Sequence, residues 1–466
     1  MQEGKNYIVA YDLGSSQIVG AAGHRDESGQ FVVDAVEVEK SAGCIKRGRV
    51  INISDAKHKV LSIRRRLENR ISPSKISQVY VGVGGQSIRS VEYPATRALL
   101  PEVPINEDIL KEMSEQVRRE IQRDNLAIFD VLPGECRVDD RISENPCGEC
   151  GSNIRISYRL VVGNIQHKRN LEKVFELANL KVAGYITTAN ATAEAVLSAN
   201  ERKQGCALLD CGAETTTLSI YRDGYIVYLV TIPLGGNNIT RDILSLHLTE
   251  SEAETLKCNF RPETEGKLSL SDEWAIQGYS LDIKSEELKD IIDSRLEEIV
   301  LNVKKQIEIS HSKGRLESGI FLVGGASQLN GLRECLSQET KTDVFRSSLS
   351  GVAWTPNQNR NSVGIGCFPA VGLLLMGKEI CAAPERPAET VSAEPTPGAA
   401  PTPAPADSTS KPAGVSAPAA VDSTPGKTNP ANEERKKETK QPQTVGEKSF
   451  KKKLWDMLQD TIGQED

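Results

Sequence analysis

The chain of 466 residues lacks three features that would each assign it to a broad class of protein. It contains no run of about 18 apolar residues, so the sequence predicts no transmembrane helix. Its formal net charge is −7, without the basic excess of a general nucleic-acid binder. Residues 1–7 are polar and lead into a strand-like run, so they show no signal-peptide pattern. We expect a protein that stays in the cytoplasm and binds no nucleic acid.

Closely paired cysteines are almost absent. The ten cysteines are scattered, as expected in a reducing compartment where they pack as small apolar side chains. Only Cys147 and Cys150 have CxxC spacing, with Cys136 upstream. A zinc site needs four ligands, and no second pair of cysteines or histidines has suitable spacing. We interpret them as loop cysteines, and a metal site is the alternative.

Large apolar side chains are missing from one long segment near the C-terminus. Residues 384–446 hold twelve of the 22 prolines and no Leu, Ile, Met, Phe, Tyr or Trp. Without such side chains the segment cannot offset the entropy of ordering, so we expect a disordered Pro/Ala-rich linker at residues 381–446. The folded part is then about the first 380 residues, enough for two to four compact units at roughly 100–200 residues each.

Two distant segments share a pattern in which an apolar strand ends in Asp-x-Gly and a second strand follows. They are IVAYDLGSSQIVGAAG at residues 8–23 and CALLDCGAETTTLSIY at residues 206–221. Glycine brings backbone N–H groups close to an anion, hydroxyl side chains add donors, and aspartate can hold Mg²⁺ through water. One such turn is most often a simple hairpin. Two of them predict two similar domains that face each other across a cleft of phosphate size.

Two further glycine turns lie in the second half of the sequence. IFLVGGASQLNGL at residues 320–332 predicts a strand, a Gly-Gly turn against which a flat ring could lie, and a helix. IPLGGNNITRDI at residues 232–243 places another Gly-Gly pair before a helix start. In the following SEAETLK, Glu254 and Lys257 share one helix face. Taken singly, these are an ordinary strand-to-helix turn and a surface ion pair.

Taken together and in order, DLGSSQ, DCGAETT, GGNNITRD, AETLK and VGGASQL resemble the nucleotide-binding segments of the superfamily of actin, sugar kinases and heat-shock chaperone ATPases. Within it, the sequence most resembles the FtsA family of bacterial cell-division proteins, which anchor the tubulin-like protein FtsZ to the membrane. SAGCIKRGRVINI, VYVGVGGQSIRS and PAVGLLLMGKE carry this second resemblance. It covers residues 5–380 and the C-terminal tip.

The resemblance implies an α/β fold of the actin-like (ribonuclease H-like) type, with two domains and an FtsA-type inserted subdomain. Each domain would hold a mixed sheet flanked by helices. Helices at residues 190–196 and 369–375 would cross at the hinge, where small residues permit close packing. The implied subdomains are 1A at residues 1–83 and 163–200 with a return helix at 363–380, 1C inserted at 84–162, 2A at 201–240 and 311–362, and 2B at 241–310.

The resemblance also implies a binding site for ATP and Mg²⁺, in which Asp12 and Asp210 would hold the ion through water. The other residues would form two phosphate loops, the approach to the nucleotide, the ribose or base contacts, and the adenosine floor. In that order they are Gly14, Ser15, Ser16 and Gln17 with Gly212, Glu214, Thr215 and Thr216; Gly235, Gly236 and Asn237; Glu254 and Lys257; and Gly324, Gly325, Ala326 and Ser327.

Two positions depart from the family pattern. Gln17 stands where many relatives carry a lysine, so triphosphate binding would depend more on Mg²⁺. In related ATPases a carboxylate or amide near the first hinge helix orients the attacking water, and Thr187 or Thr188 is a poor substitute for it here. We assign no catalytic residue and expect ATP binding with at most slow hydrolysis.

Residues 447–463 form a short amphipathic pattern after the linker. The apolar face contains Phe450, Leu454, Trp455, Met457, Leu458 and Ile462, with Lys451 at its margin and Lys452 and Lys453 opposite. A helix of this length is too short and too polar to span a bilayer, so we interpret it as lying on an anionic membrane surface. Docking on the protein's own body or in a partner's groove is the alternative. Assembly into a filament would make many weak attachments firm.

A long amphipathic helix is predicted at residues 285–310. Its predicted core face, by spacing, consists of Ile292, Leu296, Ile299, Val303 and Ile307. The resemblance implies that subdomain 2B receives the C-terminal tail of FtsZ, with Arg295 meeting its acidic groups. A solvated ion pair of Arg295 with Glu298 or Glu287 is the alternative.

The implied function is that of an ATP-binding cell-division protein. It would polymerise at the cytoplasmic face of the inner membrane, tether FtsZ filaments there, and recruit later division proteins at the septum through residues 84–162. One alternative is an actin-like platform protein of pilus assembly. Another is an ATP-dependent sugar or acetate kinase, which needs a polar substrate pocket with an aspartate base and gains nothing from a lipid-binding tip. A chaperone would carry a β-rich peptide-binding domain at the C-terminus instead.

Overall fold

The protein is represented by a computed structural model that describes residues 5–121, 126–260, 267–268, 283–355 and 363–384. The predicted linker beyond residue 384 lies outside these ranges. So does the predicted helix at residues 447–463, with every side chain assigned to the membrane.

Strands and helices alternate along the described chain. The strands are β1 Ile8–Leu13, β2 Gln17–Arg25, β3 Phe31–Lys40, β4 Ile45–Lys46, β5 Arg49–Val50, β6 Ser74–Ile76, β7 Gln78–Val83, β8 Arg89–Ala98, β9 Leu126–Leu132, β10 Cys136–Val138, β11 Arg141–Ser143, β12 Asn153–Asn164, β13 Lys181–Thr187, β14 Cys206–Cys211, β15 Thr216–Arg222, β16 Tyr225–Ile232, β17 Lys267–Leu268, β18 Ile283–Lys284, β19 Ile320–Val323, β20 Val344–Arg346, β21 Val352–Trp354 and β22 Ala382–Pro384. The helices are α1 Ile53–Arg70, α2 Glu107–Ile121, α3 Ile165–Leu177, α4 Thr188–Val196, α5 Ala199–Gln204, α6 Gly236–Ile243, α7 Glu250–Asn259, α8 Ser285–Ile309, α9 Leu332–Thr340 and α10 Phe368–Met376.

The first sheet has the strand order β13-β7-β1-β2-β3-β21. Its centre is the predicted hairpin, in which β1 and β2 pair antiparallel with Ile8 opposite Gly23. The strand β1 is almost wholly buried, because α10 packs on it and α1 packs on the neighbouring strands β2 and β3. The edge strand β21 pairs in parallel with β3, with Val352 opposite Phe31. The subdomain boundaries implied by the sequence place this strand in subdomain 2A, whereas its pairing with β3 makes it part of the first sheet.

The second sheet has the strand order β11-β10-β12-β8-β16-β15-β14-β19-β20, with β9 pairing β12. The second predicted hairpin is β14 with β15, and β19 lies parallel to β14 as a following strand. Residues of the predicted insertion supply β8 to β12, and β8 joins β16 through the pair of Arg89 with Val230. The insertion therefore extends the second sheet. We call β1–β7 with α1 and α10 the first half, and β14–β20 with α6–α9 the second half.

Two small-residue helices cross between the halves. The helix α4 buries Ala189, Ala191, Ala193 and Ala195, and α10 is buried along most of its length. A Cβ atom on Gly372 of α10 would lie 1.8 Å from the carbonyl oxygen of Ala191. Only glycine permits this approach of the two backbones.

The helix α8 packs on the second half with the face that the sequence predicts. Ile292, Leu296, Ile299, Val303 and Ile307 are all buried. Spacing of three and four residues places them on one stripe that faces the core. Within the described ranges, none of the helices has the length and apolar character needed to cross a membrane.

Candidate functional site

The two predicted turns have the same backbone geometry. In the first, the N–H group of Gly14 donates to the carbonyl oxygen of Gln17 at 3.0 Å; in the second, Gly212 donates to Thr215 at 2.8 Å. A Cβ atom on either glycine would come within 3.0 Å of that oxygen. The turns are tight for the same steric reason, and both open onto one cleft.

Each turn is held by hydrogen bonds from distant parts of the chain. The Ser41 hydroxyl donates to the carbonyl oxygen of Gly14 at 2.6 Å. The N–H group of Gly236 donates to the carbonyl oxygen of Gly212 at 3.0 Å, and that of Asn237 to Ala213 at 2.6 Å. The N-terminus of α6 therefore lies against the second turn. These bonds use the first N–H groups of the helix, and the positive end of its dipole still favours an anionic ligand nearby.

Asp12 and Asp210 lie one residue before the end of the first strand of each hairpin and are half-buried beside the cleft. Burial, and then the charge of Asp210, raise the pKa of Asp12 to about 7, and burial raises the pKa of Asp210 to about 6. Two carboxylates that are costly to ionise together favour a cation between them. In the described ranges, no set of three or more His, Cys, Asp or Glu side chains has metal-binding geometry.

The third turn packs on the second aspartate. Gly324 has φ of +83°, and a Cβ atom there would lie 2.3 Å from Oδ1 of Asp210. The Ser327 hydroxyl donates to the carbonyl oxygen of Gly324 at 2.7 Å and closes the turn. A larger residue would push into the carboxylate, so glycine is needed at position 324.

A buried lysine network lies at the side of the cleft. Lys257 is 7% exposed, and its ammonium donates to Oε2 of Glu254 at 2.6 Å and to the Thr240 hydroxyl at 3.0 Å. Thr240 in turn donates to Glu254 at 2.6 Å. Burial alone would raise the pKa of Glu254, but the bonds from Lys257 and Thr240 and the Lys257 charge outweigh it, and the pKa is lowered. This pair is therefore more than a surface ion pair, since a buried ammonium requires its partners.

The cleft has a volume of about 1120 Å³ and collects most of the predicted residues. Those that line it are Asp12, Gly14, Ser15, Ser16, Gln17, Asp210, Gly212, Thr215, Gly236, Asn237, Glu254, Lys257, Gly324, Gly325, Ala326 and Ser327. Among the described lining residues, the carboxylates are Asp12, Asp210 and Glu254. The slow hydrolysis expected from the sequence stays a prediction.

Three predicted residues do not line the cleft. Glu214 turns away and bonds to the backbone N–H of Arg47. Thr216 donates to the carbonyl oxygen of Leu234 at 2.8 Å. A Cβ atom on Gly235 would lie 2.7 Å from the carbonyl oxygen of Gly212, so this glycine supports the second turn from behind.

Sequence reasoning missed several lining residues, among them Gly48, Gly84, Gly85, Ala213, Cys258, Asn330, Arg346, Ser347, Gly364 and Gly366. A signal existed for some of them. The Gly-Gly pair that follows β7 and the glycines of SVGIG before α10 have the same form as the turns that were predicted. Arg346 ends the strand β20 and Ser347 follows it, and no glycine marks this place.

Arg295 lies in ion pairs on the outer side of the second half. Its guanidinium donates to both oxygens of Asp242, at 2.7 and 3.0 Å, and also to Glu298. These bonds raise the pKa of Arg295, with the Asp242 hydrogen bond as the first cause. Glu298 was named as a partner from the sequence, whereas Asp242 was not. The role of Arg295 in partner binding stays a prediction.

The three neighbouring cysteines of the insertion differ in burial. Cys136 is buried, Cys147 is half-buried and Cys150 is exposed, and all three are free. Burial, followed by the charges of Glu149 and Cys147, raises the pKa of Cys136 to about 11. A thiol with this pKa is a weak metal ligand and a weak nucleophile at neutral pH.

Comparison of the sequence with known proteins finds relatives among bacterial cell division proteins. The sequence model of the family "Cell division protein FtsA" matches residues 207–361. The chain is 29% identical to the cell division protein FtsA of Porphyromonas gingivalis over 331 residues, 68% of each chain. It is 26% identical to that of Pseudomonas aeruginosa, covering 81% of this chain and 90% of the relative. For the Escherichia coli protein the identity is 24%, over 80% of this chain and 91% of the relative.

A solved structure supports the fold independently of close sequence similarity. The "PilM-PilN type IV pilus biogenesis complex" superimposes with a TM-score of 0.58 and 18% identity, covering 79% of this chain and 98% of that chain. The predicted actin-like α/β fold is confirmed. The paired turns, the crossed small-residue helices and the sequence relatives lead to one conclusion: this chain has an actin-like fold and is similar to the cell division protein FtsA over about 80% of its length.

Proposed function

We propose that the cleft binds ATP with Mg²⁺ and that the nucleotide state controls assembly of this division protein. The observation that carries the proposal is the pair of matching glycine turns, each of which follows a strand with a half-buried aspartate near its end. Backbone N–H groups of such turns bind phosphate oxygens. Asp12 and Asp210 fit a Mg²⁺ ion held through water, since two carboxylates cannot complete its octahedral shell and the ion keeps several waters.

The remaining groups of the cleft fit a nucleoside. Glu254 offers carboxylate oxygens that suit ribose hydroxyls or the edge of a base. The ammonium of Lys257 already donates to Glu254, Thr240 and the carbonyl oxygen of Gly236, so it would hold the carboxylate in position beside the ligand. A Cβ atom added to Gly325 would meet no atom within 4 Å, so a flat ring can lie against the backbone there. Gln17 adds an amide donor without a charge, so the bound ion would neutralise most of the phosphate charge.

Isothermal titration calorimetry of the full chain with ATP tests this proposal. We expect a heat of binding with Mg²⁺ and a much weaker one with EDTA. Turnover of ATP should stay below about 1 per second, at the low end of the enzyme range, because Thr187 and Thr188 stand where related ATPases carry the group that orients the attacking water. Absence of binding heat for folded protein in the presence of Mg²⁺ would rule the proposed site out.

We also propose attachment to the cytoplasmic face of the membrane at the septum through residues 447–463. The apolar side chains Phe450 and Leu454 would enter the lipid, and lysines at 451–453 would meet anionic head groups. One such helix would bind the membrane weakly. In a filament many helices would bind at the same time, and their combined attachment would be firm.

Replacing both Phe450 and Leu454 with Asp should release the protein from vesicles that contain anionic lipid. Loss of two half-buried apolar side chains corresponds to about tenfold or more in affinity. Vesicle co-sedimentation measures it. The control variant Gln459→Asp with Gln464→Asp adds the same charge without changing the apolar face. It should bind the vesicles several times more tightly than the variant with Asp at positions 450 and 454. Equal binding of the two variants would contradict insertion of the apolar face.

The partners proposed for the assembled protein are a second copy of the chain, the C-terminal tail of FtsZ, and later division proteins at residues 84–162. For the tail, Arg295 is accessible only in competition with Asp242 and Glu298. An acidic tail would therefore replace existing ion pairs, and we expect its binding to weaken as salt rises. Fluorescence anisotropy of a labelled tail peptide measures this dependence.

A further inference from the structure

Glu214 joins the two halves of the molecule at the mouth of the cleft. It lies in the second turn, between Ala213 and Thr215, which both line the cleft, yet its own side chain points elsewhere. Its Oε2 atom accepts a hydrogen bond from the backbone N–H of Arg47 at 2.6 Å. Its Oε1 atom accepts from the guanidinium of Arg241 at 3.0 Å. The side chain is only 12% exposed, so both bonds are partly shielded from water.

Arg47 belongs to the first half. With Gly48 it forms the turn between β4 and β5, and both residues have positive φ, +48° and +74°. The flanking Ile45 and Val50 are buried in the core of the first half. The position of the turn is therefore fixed by the first half, whereas Glu214 and Arg241 belong to the second.

The same turn is also bonded to the first glycine turn. The N–H group of Gly48 donates to the Ser15 hydroxyl at 2.8 Å. The carbonyl oxygen of Arg47 accepts from the N–H of Gln86 at 2.9 Å, and a Cβ atom on Gly48 would lie 2.5 Å from the Cα atom of Gly85. Two consecutive amides thus reach the two opposing turns, Arg47 the second and Gly48 the first.

A short hydrogen bond to a carboxylate is stronger than one between neutral groups. Between Arg47 and Glu214, the donor is backbone and cannot move without the whole β4–β5 turn. Separation of the halves would break this bond and expose a half-buried carboxylate. The bond therefore favours the closed cleft.

We propose that Glu214 is a positioning residue that ties the β4–β5 turn to the second glycine turn and so holds the cleft closed over its ligand. Opening of the cleft requires loss of the bond from the Arg47 amide, and release of a bound ligand waits for that step. The part about ligand release rests on the proposed nucleotide site, whereas the tie between the halves does not.

Hydrogen exchange of the ligand-free full chain tests the tie directly. In Glu214→Ala, amides of residues 44–50 should exchange about tenfold faster than in the parent chain, because the local opening that exposes them becomes easier. Glu214→Gln keeps an acceptor oxygen without the charge, so its exchange rates at residues 44–50 should lie between those of the parent chain and of Glu214→Ala. Arg241→Gln leaves the bond from the Arg47 amide in place, so it should change the exchange rates of residues 44–50 by less than about twofold.

The matched control is Glu339→Ala, which removes a carboxylate from an ion pair with Lys304 in the same half, away from the cleft. It should leave residues 44–50 unchanged. Unchanged exchange there in Glu214→Ala overturns the proposal, and so does equal acceleration along the whole chain, which would assign Glu214 to general stability. Release of a fluorescent ATP analogue, followed by stopped flow, should be about tenfold faster in Glu214→Ala. If the parent chain binds no nucleotide, the proposed function fails, and hydrogen exchange still decides on the tie.

Discussion

Replacing Gly372 with alanine is expected to destabilise the protein by about 3 kcal/mol or more, the upper range for overpacking in a core. The added methyl group would lie 1.8 Å from the carbonyl oxygen and 2.3 Å from the carbonyl carbon of Ala191. Both are backbone atoms, so no side chain can rotate away. The helices α4 and α10 would have to separate, and both are buried in the core.

Chemical denaturation followed by circular dichroism measures this loss. A domain commonly has a total stability of about 5–15 kcal/mol, so a large share of it is at risk. The matched control is Gly364→Ala, four residues before α10. Gly364 has φ of −66°, and a Cβ atom there meets no atom within 4 Å. Its unfolding curve should coincide with that of the parent chain. If Gly372→Ala had the same denaturation midpoint as the parent chain, the close crossing of α4 and α10 would be contradicted.

Replacing Asp12 with asparagine is expected to stabilise the ligand-free protein and to abolish its stabilisation by Mg²⁺ and ATP. Burial and the charge of Asp210 raise the pKa of Asp12 to about 7. The folded carboxyl thus holds a proton at pH values where the unfolded one has lost it. Between about pH 4 and pH 7 the folded state binds more protons, so the unfolding free energy falls as pH rises.

Above pH 7 the parent chain carries the full cost of this buried charge, and the amide of the variant does not. We expect the ligand-free variant to gain about 1–4 kcal/mol at pH 8 and to show a flatter dependence of stability on pH. Thermal melts at several pH values, with and without Mg²⁺ and ATP, measure both effects. The variant should show no shift on addition of the ligands, whereas the parent chain should melt several degrees higher.

The matched control is Asp343→Asn, which removes a carboxylate from an exposed position of the second half. It should leave both the pH dependence and the ligand-induced shift unchanged. A variant of Asp12 that melts lower than the parent chain at pH 8, or that keeps the ligand-induced shift, would contradict the role of this carboxylate.

The sequence alone determined the local elements of this protein. Both Asp-x-Gly segments form hairpins, because their strands are apolar and their turns contain the residues that a tight reversal requires. The helix α8 buries the five side chains that its spacing selects. These features follow from backbone sterics and periodicity within a short stretch of chain, so a linear reading suffices to find them.

Only the tertiary structure decided which groups of the site face the ligand and which face the protein. Glu214 was counted with the second phosphate loop by its position, yet its carboxylate bonds to Arg47, 167 residues away. Arg295 holds Asp242 across 53 residues, and β21 adds to a sheet whose other strands come earlier in the chain. The direction of a side chain and the partner of an edge strand depend on groups that folding brings together from distant positions. Local pattern fixes the elements, whereas long-range packing fixes the orientation of the side chains they carry.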